Sequence, residues 1–320
     1  MSEIVTVTQT ADWLRNRDNF LLLTHHRPDG DTLGSAGALA QGLRETGKTA
    51  YLLLNHEATP RYMRFVQDYW APDGYEPEYI IAIDTASLEL IPENGKNYVQ
   101  DIDLRIDHHP SNISYASNNC IDVSRASCGE IIYDILMELA GHISVKTAGS
   151  LYAALSTDTG CFVYANTTAN TLHTAAALIE AGAPHKELNR FLFRTKTLGR
   201  ISVEGMILSN LEFYYNNTVA LSVITRKMLE SAGATEDDVD NIAAIPGSVE
   251  GVCIGITIRE LTSTEDCKVS VRTGVTVDAH SICAHFGGGG HAMAAGFSRK
   301  ATAEKIKEDL LEVLKVYIPG

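Results

Sequence analysis

The segment of residues 24–35, THHRPDGDTLGS, places three side chains that can bind metal ions within seven residues. These are His25, Asp29 and Asp31. Aspartates are also common as turn residues and helix caps, and for Asp31 alone a cap of the following helix is the simpler interpretation. Three such side chains in one short loop nevertheless favour a metal site.

Further acids and histidines follow other apolar segments. Asp84 comes directly after YIIAI, where a helix cap and a metal ligand explain it equally well. Asp107, His108 and His109 come together in IDHHPSN, and the aspartate could fix the tautomer of a ligating imidazole. Asp158 ends an apolar, helix-like stretch, where a bound cation would offset the unfavourable helix dipole.

These clusters supply four carboxylates and two imidazoles, a set that suits two divalent cations. The set consists of His25, Asp29, Asp31, Asp84, His108 and Asp158. Mixed histidine and carboxylate ligands favour Mn²⁺. Mg²⁺ is the alternative and fits this set less well, because it prefers ligand shells made of oxygen alone. The clusters contain no thiolate, which argues against a structural zinc site.

A different chemistry is indicated by AHFGGGGHAMAAGF, which contains the one glycine cluster of the chain. The backbone N–H groups of Gly288, Gly289 and Gly290 could approach phosphate oxygens closely, and His291 could donate to them. Arg272, which closes a predicted strand, is a candidate phosphate ligand. Glycine runs are often plain turns and arginines at strand ends are often solvated, so both interpretations stay open.

Elements that could position these side chains alternate between strands and helices. We predict strands at residues 20–24, 50–54, 79–83 and 104–106, and helices at residues 32–46, 128–139, 145–156 and 168–181. Such alternation indicates βαβ units and a mostly parallel sheet, which binds ligands beyond the carboxyl ends of its strands. The polar clusters would lie at that edge.

The second half of the chain has a different pattern. Strands are predicted at residues 219–224, 252–258 and 268–272, and helices at residues 232–244, 278–285 and 302–317. We therefore expect an α/β protein with an N-terminal domain over residues 1–185 and a smaller C-terminal α/β domain over residues 211–320. The charged, helix-prone residues 186–210 would connect them.

The composition limits the classes of function. The 320 residues carry a formal net charge of −14, which argues against binding of long duplex nucleic acid but not of a small phosphorylated substrate. No apolar run is long enough for a membrane span and the first residues do not resemble an export signal, so we expect a cytoplasmic protein without membrane partners. Six scattered cysteines without a CxxC pair indicate reduced thiols.

In their order, these motifs resemble those of the DHH/DHHA1 phosphoesterases. The motifs are HxxxDxD at residues 25–31, an aspartate at 84, DHH at 107–109, an aspartate at 158 and GGGGH at 287–291. The resemblance covers nearly the whole chain, and the chain length is similar to that of the nanoRNase/pAp-phosphatase subgroup. Full-length RecJ, which carries an additional OB-fold domain, is less similar.

The resemblance implies a role for each motif. One metal ion would be bound by His25, Asp29 and Asp84, and a second by Asp31, Asp84, His108 and Asp158. Asp107 would orient the DHH loop, and His109 would contact a phosphate or donate a proton. In the C-terminal domain, Arg272 and Gly288, Gly289, Gly290 and His291 would bind a terminal phosphate or nucleotide. His26, often apolar in relatives, could compete with His25 as a ligand.

By the same resemblance, the expected activity is hydrolysis by a metal-activated water. The substrates would be RNA fragments of a few nucleotides, cleaved as an exonuclease, and 3′-phosphoadenosine 5′-phosphate. An alternative is a phosphodiesterase for cyclic dinucleotides or for linear pApA or pGpG, and one of another class is an inactive nucleotide-binding regulator. An inorganic pyrophosphatase shares the N-terminal chemistry but not GGGGH. A homodimer is expected from the resemblance alone.

Overall fold

The computed structural model describes residues 2–110, 114–239, 242–261, 266–274 and 276–318. The chain divides into two compact units, Met1–Thr195 and Lys196–Gly320. The division falls within the stretch expected to connect two domains, whose limits stay a prediction. In the described ranges, no helix combines the length and the apolar character that crossing a membrane requires.

The first unit is built on a sheet of six strands, in which every neighbouring pair is parallel. The strands are β1 (Glu3–Ile4), β2 (Phe20–Leu23), β3 (Ala50–Leu52), β4 (Tyr79–Ile83), β5 (Ile102–Asp107) and β6 (Asn118–Ile121). Their order is β1-β6-β5-β4-β2-β3. Strands β2 and β4 are apolar throughout because side chains on both faces of the sheet are buried. The expected parallel sheet is confirmed.

Helices cover the sheet of the first unit. They are α1 (Val7–Arg15), α2 (Gly30–Glu45), α3 (Cys128–Ala140), α4 (Val145–Asp158), α5 (Ala169–Glu180) and α6 (His185–Asn189), which a π-helical turn, Arg190–Arg194, continues. Helix α2 is buried almost along its whole length and packs against α4. Small residues allow this: a Cβ atom on Gly34 would lie 2.7 Å from the carbonyl oxygen of Ser150.

The second unit contains a mixed sheet of six strands in the order β11-β12-β10-β9-β8-β7. The strands are β7 (Glu212–Tyr214), β8 (Val219–Ile224), β9 (Ile254–Glu260), β10 (Cys267–Thr273), β11 (Gly289–His291) and β12 (Ala294–Arg299), and the helices are α7 (Leu198–Ser209), α8 (Arg226–Ala232), α9 (Ala279–Ala284) and α10 (Ala303–Leu314). Only β8 and β9 form a parallel pair among these neighbours.

The helix expected at residues 232–244 is wrong. The observed helix is α8, which begins after the cap Thr225 and stops where Gly233 adopts a left-handed conformation at φ 59°. Short 3₁₀ turns, Glu236–Val239 and Ile242–Ala244, follow it, while residues 240 and 241 lie outside the described residues. A left-handed glycine after a helix is a common termination signal, and it overrides the helix propensity of the next segment.

The close contact of α2 and α4 predicts the effect of Gly34→Ala. The added methyl group would meet the backbone of α4, so we expect a loss of about 1–3 kcal/mol in the free energy of unfolding, measured by urea denaturation. The control is Gly205→Ala in α7, where no described heavy atom beyond the neighbouring residues and the backbone of the helix itself lies within 4 Å of the added Cβ. That variant should gain about 0.5–1 kcal/mol. Equal effects of the two substitutions would contradict this packing.

Candidate metal centre

Three neighbouring strands deliver the candidate ligands to one edge of the sheet. His25 follows β2, Asp84 follows β4, and Asp107 is the last residue of β5 with His108 directly after it. Strand β4 lies between β2 and β5, and all three run parallel. Their carboxyl ends therefore meet, as expected from the sequence.

Two helix ends bring the aspartates of the other motifs: Asp29 and Asp31 lie at the start of α2, and Asp158 is the last residue of α4. Asp29 is the N-cap of α2 and accepts from the Thr32 amide at 3.0 Å. Asp31 lies in the first turn of α2, but its carboxylate accepts from the amides of Cys128 at 2.7 Å and Gly129 at 3.0 Å. Asp31 therefore does not cap its own helix, which was the simpler interpretation of this residue taken alone; its carboxylate caps the N-terminus of α3 instead.

Asp84 lies between the two histidines that follow β2 and β5. Its Oδ2 atom is 3.9 Å from His25 Nε2 and its Oδ1 atom is 3.6 Å from His108 Nε2. Oδ2 accepts from the Thr32 hydroxyl at 2.6 Å, whereas the buried Oδ1 has no hydrogen-bond partner among the described residues. A buried, unpaired carboxylate oxygen is costly in a protein interior, and a cation would satisfy it.

Within the part of the chain that the structure describes, three groups of side chains have ligand atoms close enough to share a metal ion, within 4.8 Å of one another. They are His25 with Asp29 and Asp84; Asp31 with His108 and Asp158; and Asp84 with His108 and His109. All six candidate ligands occur in these groups. The donor set of imidazole and carboxylate therefore fits divalent transition ions such as Mn²⁺.

The histidine rings are oriented by hydrogen bonds at their other nitrogen. His25 Nδ1 lies 2.7 Å from the carbonyl oxygen of His26, and His108 Nδ1 lies 3.2 Å from that of Arg125. With Nδ1 protonated in both rings, Nε2 is left as the ligand atom. His26 belongs to none of the three groups; its amide and its Nδ1 atom contact the carbonyl oxygen of Leu90, at 2.7 and 3.1 Å, and anchor the loop.

The crowding of carboxylates controls the electrostatics of the site. Burial, followed by the charges of Asp84 and Asp158, raises the pKa of Asp31 well above its usual value. Burial and the charge of Asp29 also raise the pKa of Asp84. Burial outweighs the attraction of His108 and raises the pKa of Asp158 to about 6. Without cations, these carboxylates destabilise one another.

His109 and Asp107 form a separate, strongly bonded pair. Asp107 Oδ1 lies 2.8 Å from His109 Nδ1 and accepts from the His109 amide at 3.0 Å. The hydrogen bond to Asp107 raises the pKa of His109 to about 9. Burial opposes ionisation of Asp107, but His109 and the Arg105 guanidinium together lower its pKa to about 2. His109 is therefore a half-exposed cation beside the candidate metal ligands.

In the second unit, Arg272 and His291 flank the same residue on the strand between them. Arg272 of β10 is opposite Ala294 of β12, and Ala294 is opposite His291 of β11. Opposite residues share a face of the sheet, so both point to the same side, with backbones about 10 Å apart across two strand spacings. The structure thus places Arg272 and His291, the two candidate phosphate ligands of this unit that would act through their side chains, on one face of the sheet.

The GGGGH segment is not an open loop, because part of it forms edge strand β11. A Cβ on Gly288 would lie 2.4 Å from the carbonyl oxygen of Gly296, and one on Gly290 would lie 2.6 Å from that of Ala294. The close pairing with β12 is thus sufficient to require glycine at both positions, whether or not a ligand binds there.

The sequence did not single out several residues that complete the two sites. Thr32, Arg105 and the amides of Cys128 and Gly129 support the carboxylates. His280 Nδ1 lies 3.0 Å from the carbonyl oxygen of Gly290, next to the glycine segment. A signal existed for Arg105, since a charged residue inside a buried strand needs a partner.

Comparison with known proteins decides the family. A model of the DHH family N-terminal domain matches residues 19–155, and a DHHA1 domain model matches residues 216–318. Over 92% of its length, the chain is 31% identical to the bifunctional oligoribonuclease and PAP phosphatase NrnA of Thermus thermophilus, 88% of which is covered. The chain belongs to the DHH family. It is therefore a hydrolase that acts on phosphoester bonds, as the resemblance implied.

Other relatives agree. The NrnA protein of Bacillus subtilis is 30% identical, with 93% of this chain and 95% of that protein covered. An exopolyphosphatase-related protein of Bacteroides fragilis shares the fold with a TM-score of 0.86 at 24% identity, covering 97% of this chain and 96% of that one. RecJ of Thermus thermophilus, solved in complex with Mn²⁺, has a TM-score of 0.53 at 12% identity. The superposition covers 97% of this chain and 53% of the RecJ chain.

The raised pKa of Asp158 predicts a pH-dependent stability after metal removal by chelation. Since its pKa is about 6 in the folded protein and 3.8 ordinarily, the folded protein binds more protons between these values. Relative to Asp158→Asn, which does not titrate, the wild-type protein should lose about 2 kcal/mol of unfolding free energy as the pH rises from about 4 to about 7.

Urea denaturation at several pH values, in the presence of a chelator, measures this difference. Saturating Mn²⁺ should reverse the loss in the wild-type protein, because the cation replaces the protons. Parallel pH profiles of the two proteins would show that the carboxylates do not repel one another as described.

Proposed function

We propose that this hydrolase uses two divalent cations, most simply Mn²⁺, to cleave RNA fragments of a few nucleotides and 3′-phosphoadenosine 5′-phosphate. The observation that carries the proposal is the placement of Asp84, whose Oδ2 atom lies 3.9 Å from His25 Nε2 and whose Oδ1 atom lies 3.6 Å from His108 Nε2. Such a carboxylate can bridge two ions. The names of the relatives, oligoribonuclease and PAP phosphatase, support the substrates.

The proposed ligand sets follow the clusters. His25, Asp29 and Asp84 would hold one ion, and Asp31, His108 and Asp158 the other. Asp84 would also belong to the second set, since its Oδ1 atom lies 3.6 Å from His108 Nε2. When bound, the pair would supply a water molecule acidic enough to act as a nucleophile near neutral pH, and positive charge for the phosphoryl oxygens. Mg²⁺ could replace Mn²⁺, although imidazole ligands favour the latter.

The residues of the chain would do the rest. In the metal-free protein the hydrogen bond to Asp107 raises the pKa of His109 to about 9. A protonated His109 ring could contact a phosphoryl oxygen or protonate the leaving oxygen. Asp107 holds this ring in place. In the second unit, Arg272, His291 and the amides of Gly288, Gly289 and Gly290 would bind a phosphate. A homodimer and a cytoplasmic location stay predictions.

A product time course tests the substrate. A 5′-phosphorylated RNA tetranucleotide is incubated in Mn²⁺ beside 3′-phosphoadenosine 5′-phosphate, a cyclic dinucleotide and linear pApA and pGpG. Stepwise release of mononucleotides from the tetranucleotide, together with release of phosphate from 3′-phosphoadenosine 5′-phosphate, supports the proposal. Hydrolysis confined to the cyclic or linear dinucleotides would identify the protein as a dinucleotide phosphodiesterase instead. Tight binding without any hydrolysis would support an inactive nucleotide-binding regulator.

Asp84→Asn should abolish most turnover, because the amide removes the charge that both ions would share while keeping the shape. We expect kcat to fall by roughly three orders of magnitude, about 4 kcal/mol of transition-state stabilisation. Bound Mn²⁺, measured by calorimetry, should fall as well. The control is Asp73→Asn on an exposed turn, which should keep both values. Full activity of Asp84→Asn in Mn²⁺ would rule out the shared ligand.

A further inference from the structure

Arg105 is a charged residue in the interior of the first unit, with none of its surface exposed. It lies on β5, two residues before Asp107, so both side chains point to the same face of the strand. Its Nε atom donates to Asp107 Oδ2 at 3.0 Å, and its Nη2 atom donates to the same oxygen. The ion pair is buried at both ends.

The two oxygens of Asp107 have different partners. Oδ2 accepts from Arg105, and Oδ1 contacts the amide and the ring nitrogen of His109. Arg105 thereby fixes the rotation of the carboxylate that fixes the His109 ring. A second acceptor is close, since His109 Nδ1 lies 3.5 Å from Asp84 Oδ1. If Asp107 turned away, His109 would be drawn to the oxygen that a metal ion needs.

Tyr115 connects the same arginine to the Asp84 loop. Its ring lies 4.9 Å from the Arg105 guanidinium carbon, and its hydroxyl donates to the carbonyl oxygen of Thr85 at 2.7 Å. Thr85 follows Asp84, which has a left-handed backbone at φ 51°, uncommon for a residue other than glycine. Strained backbone of this kind persists where its surroundings hold it.

Stability alone does not account for a buried ion pair. Well-packed apolar residues at such positions are often as stable or more stable, since both charges must be removed from water. The arrangement of Arg105 instead fits a requirement for orientation. It holds one oxygen of Asp107 so that the other is aimed at His109.

We propose that Arg105 is a positioning residue, which acts through Asp107 to keep the His109 ring aimed at the substrate and away from Asp84. The inference rests on the proposed function in that His109 meets the substrate. It adds a specific requirement, namely that the effect of Arg105 passes through His109.

Kinetics of Arg105→Lys, with the substrate that the time course identifies, tests this route. Lysine keeps the charge but cannot repeat the two-donor contact, so we expect kcat to fall roughly 10- to 100-fold, as for other residues that orient active-site groups, with KM nearly unchanged. In a His109→Asn background, the same substitution should change kcat less than about twofold, because its route is already broken.

A stability control separates this effect from general loosening. Leu14→Ala removes a fully buried side chain of α1, on a helix that supplies none of the site residues. Its melting temperature can be compared with that of Arg105→Lys. An equal loss of kcat in both proteins, or an equal effect of Arg105→Lys with and without His109, would overturn the proposal.

Crystal structures of the wild-type protein and of Arg105→Met decide the matter even if none of the substrates is hydrolysed. We expect the contact between His109 Nδ1 and Asp107 to be lost in the variant, and Arg105→Lys serves instead if Arg105→Met does not fold. An unchanged His109 ring would overturn the inference. Absence of hydrolysis by the wild-type protein, with a displaced ring in the variant, would refute the proposed function alone.

Discussion

Repulsion among buried carboxylates is the constraint on which the first unit depends. Asp31 and Asp84 are almost inaccessible to water. The charge of Asp158 raises the pKa of Asp31, and the charge of Asp84 raises the pKa of Asp158. Two amides of α3 and the Thr32 hydroxyl offset part of the cost of ionisation. One oxygen of Asp84 stays unsatisfied among the described residues. The crowded carboxylates therefore create a region of negative electrostatic potential at this edge of the sheet, and divalent cations would neutralise it.

Holding such a cluster requires rigid supports, and the fold provides two kinds. Three parallel strands end at the same edge, and the N-terminus of α2 meets the C-terminal end of α4 there. The second contact depends on small residues, because a Cβ on Gly30 would lie 2.4 Å from the Thr157 side chain, one residue before Asp158. The distances between carboxylates are thus set by backbone packing, which flexible side chains could not do.

The sequence predicted those parts of the structure in which local pattern and burial agree. Apolar strands followed at once by acids and histidines correctly placed β2, β4 and β5 and the edge where their clusters meet. Strands β1 and β6 were missed, since Glu3–Ile4 is exposed and Asn118–Ile121 is half polar, so neither has an apolar pattern. The role of Asp31 was also out of reach, because the helix that it caps begins 97 residues later. Partners so distant in sequence leave no local signal.

The glycine run shows why a motif and its cause should be kept apart. Gly288 and Gly290 are already required by close approach to β12, so their presence does not by itself indicate a phosphate. What points to a ligand is the sheet register, which aligns Arg272 with His291 on one face across Ala294. A guanidinium and an imidazole are both hydrogen-bond donors suited to an anion, so their place on one face is consistent with the proposed phosphate contact. The strand register thus supports the proposed phosphate contacts of Arg272 and His291 independently of Gly288 and Gly290, which the approach of β11 to β12 already requires.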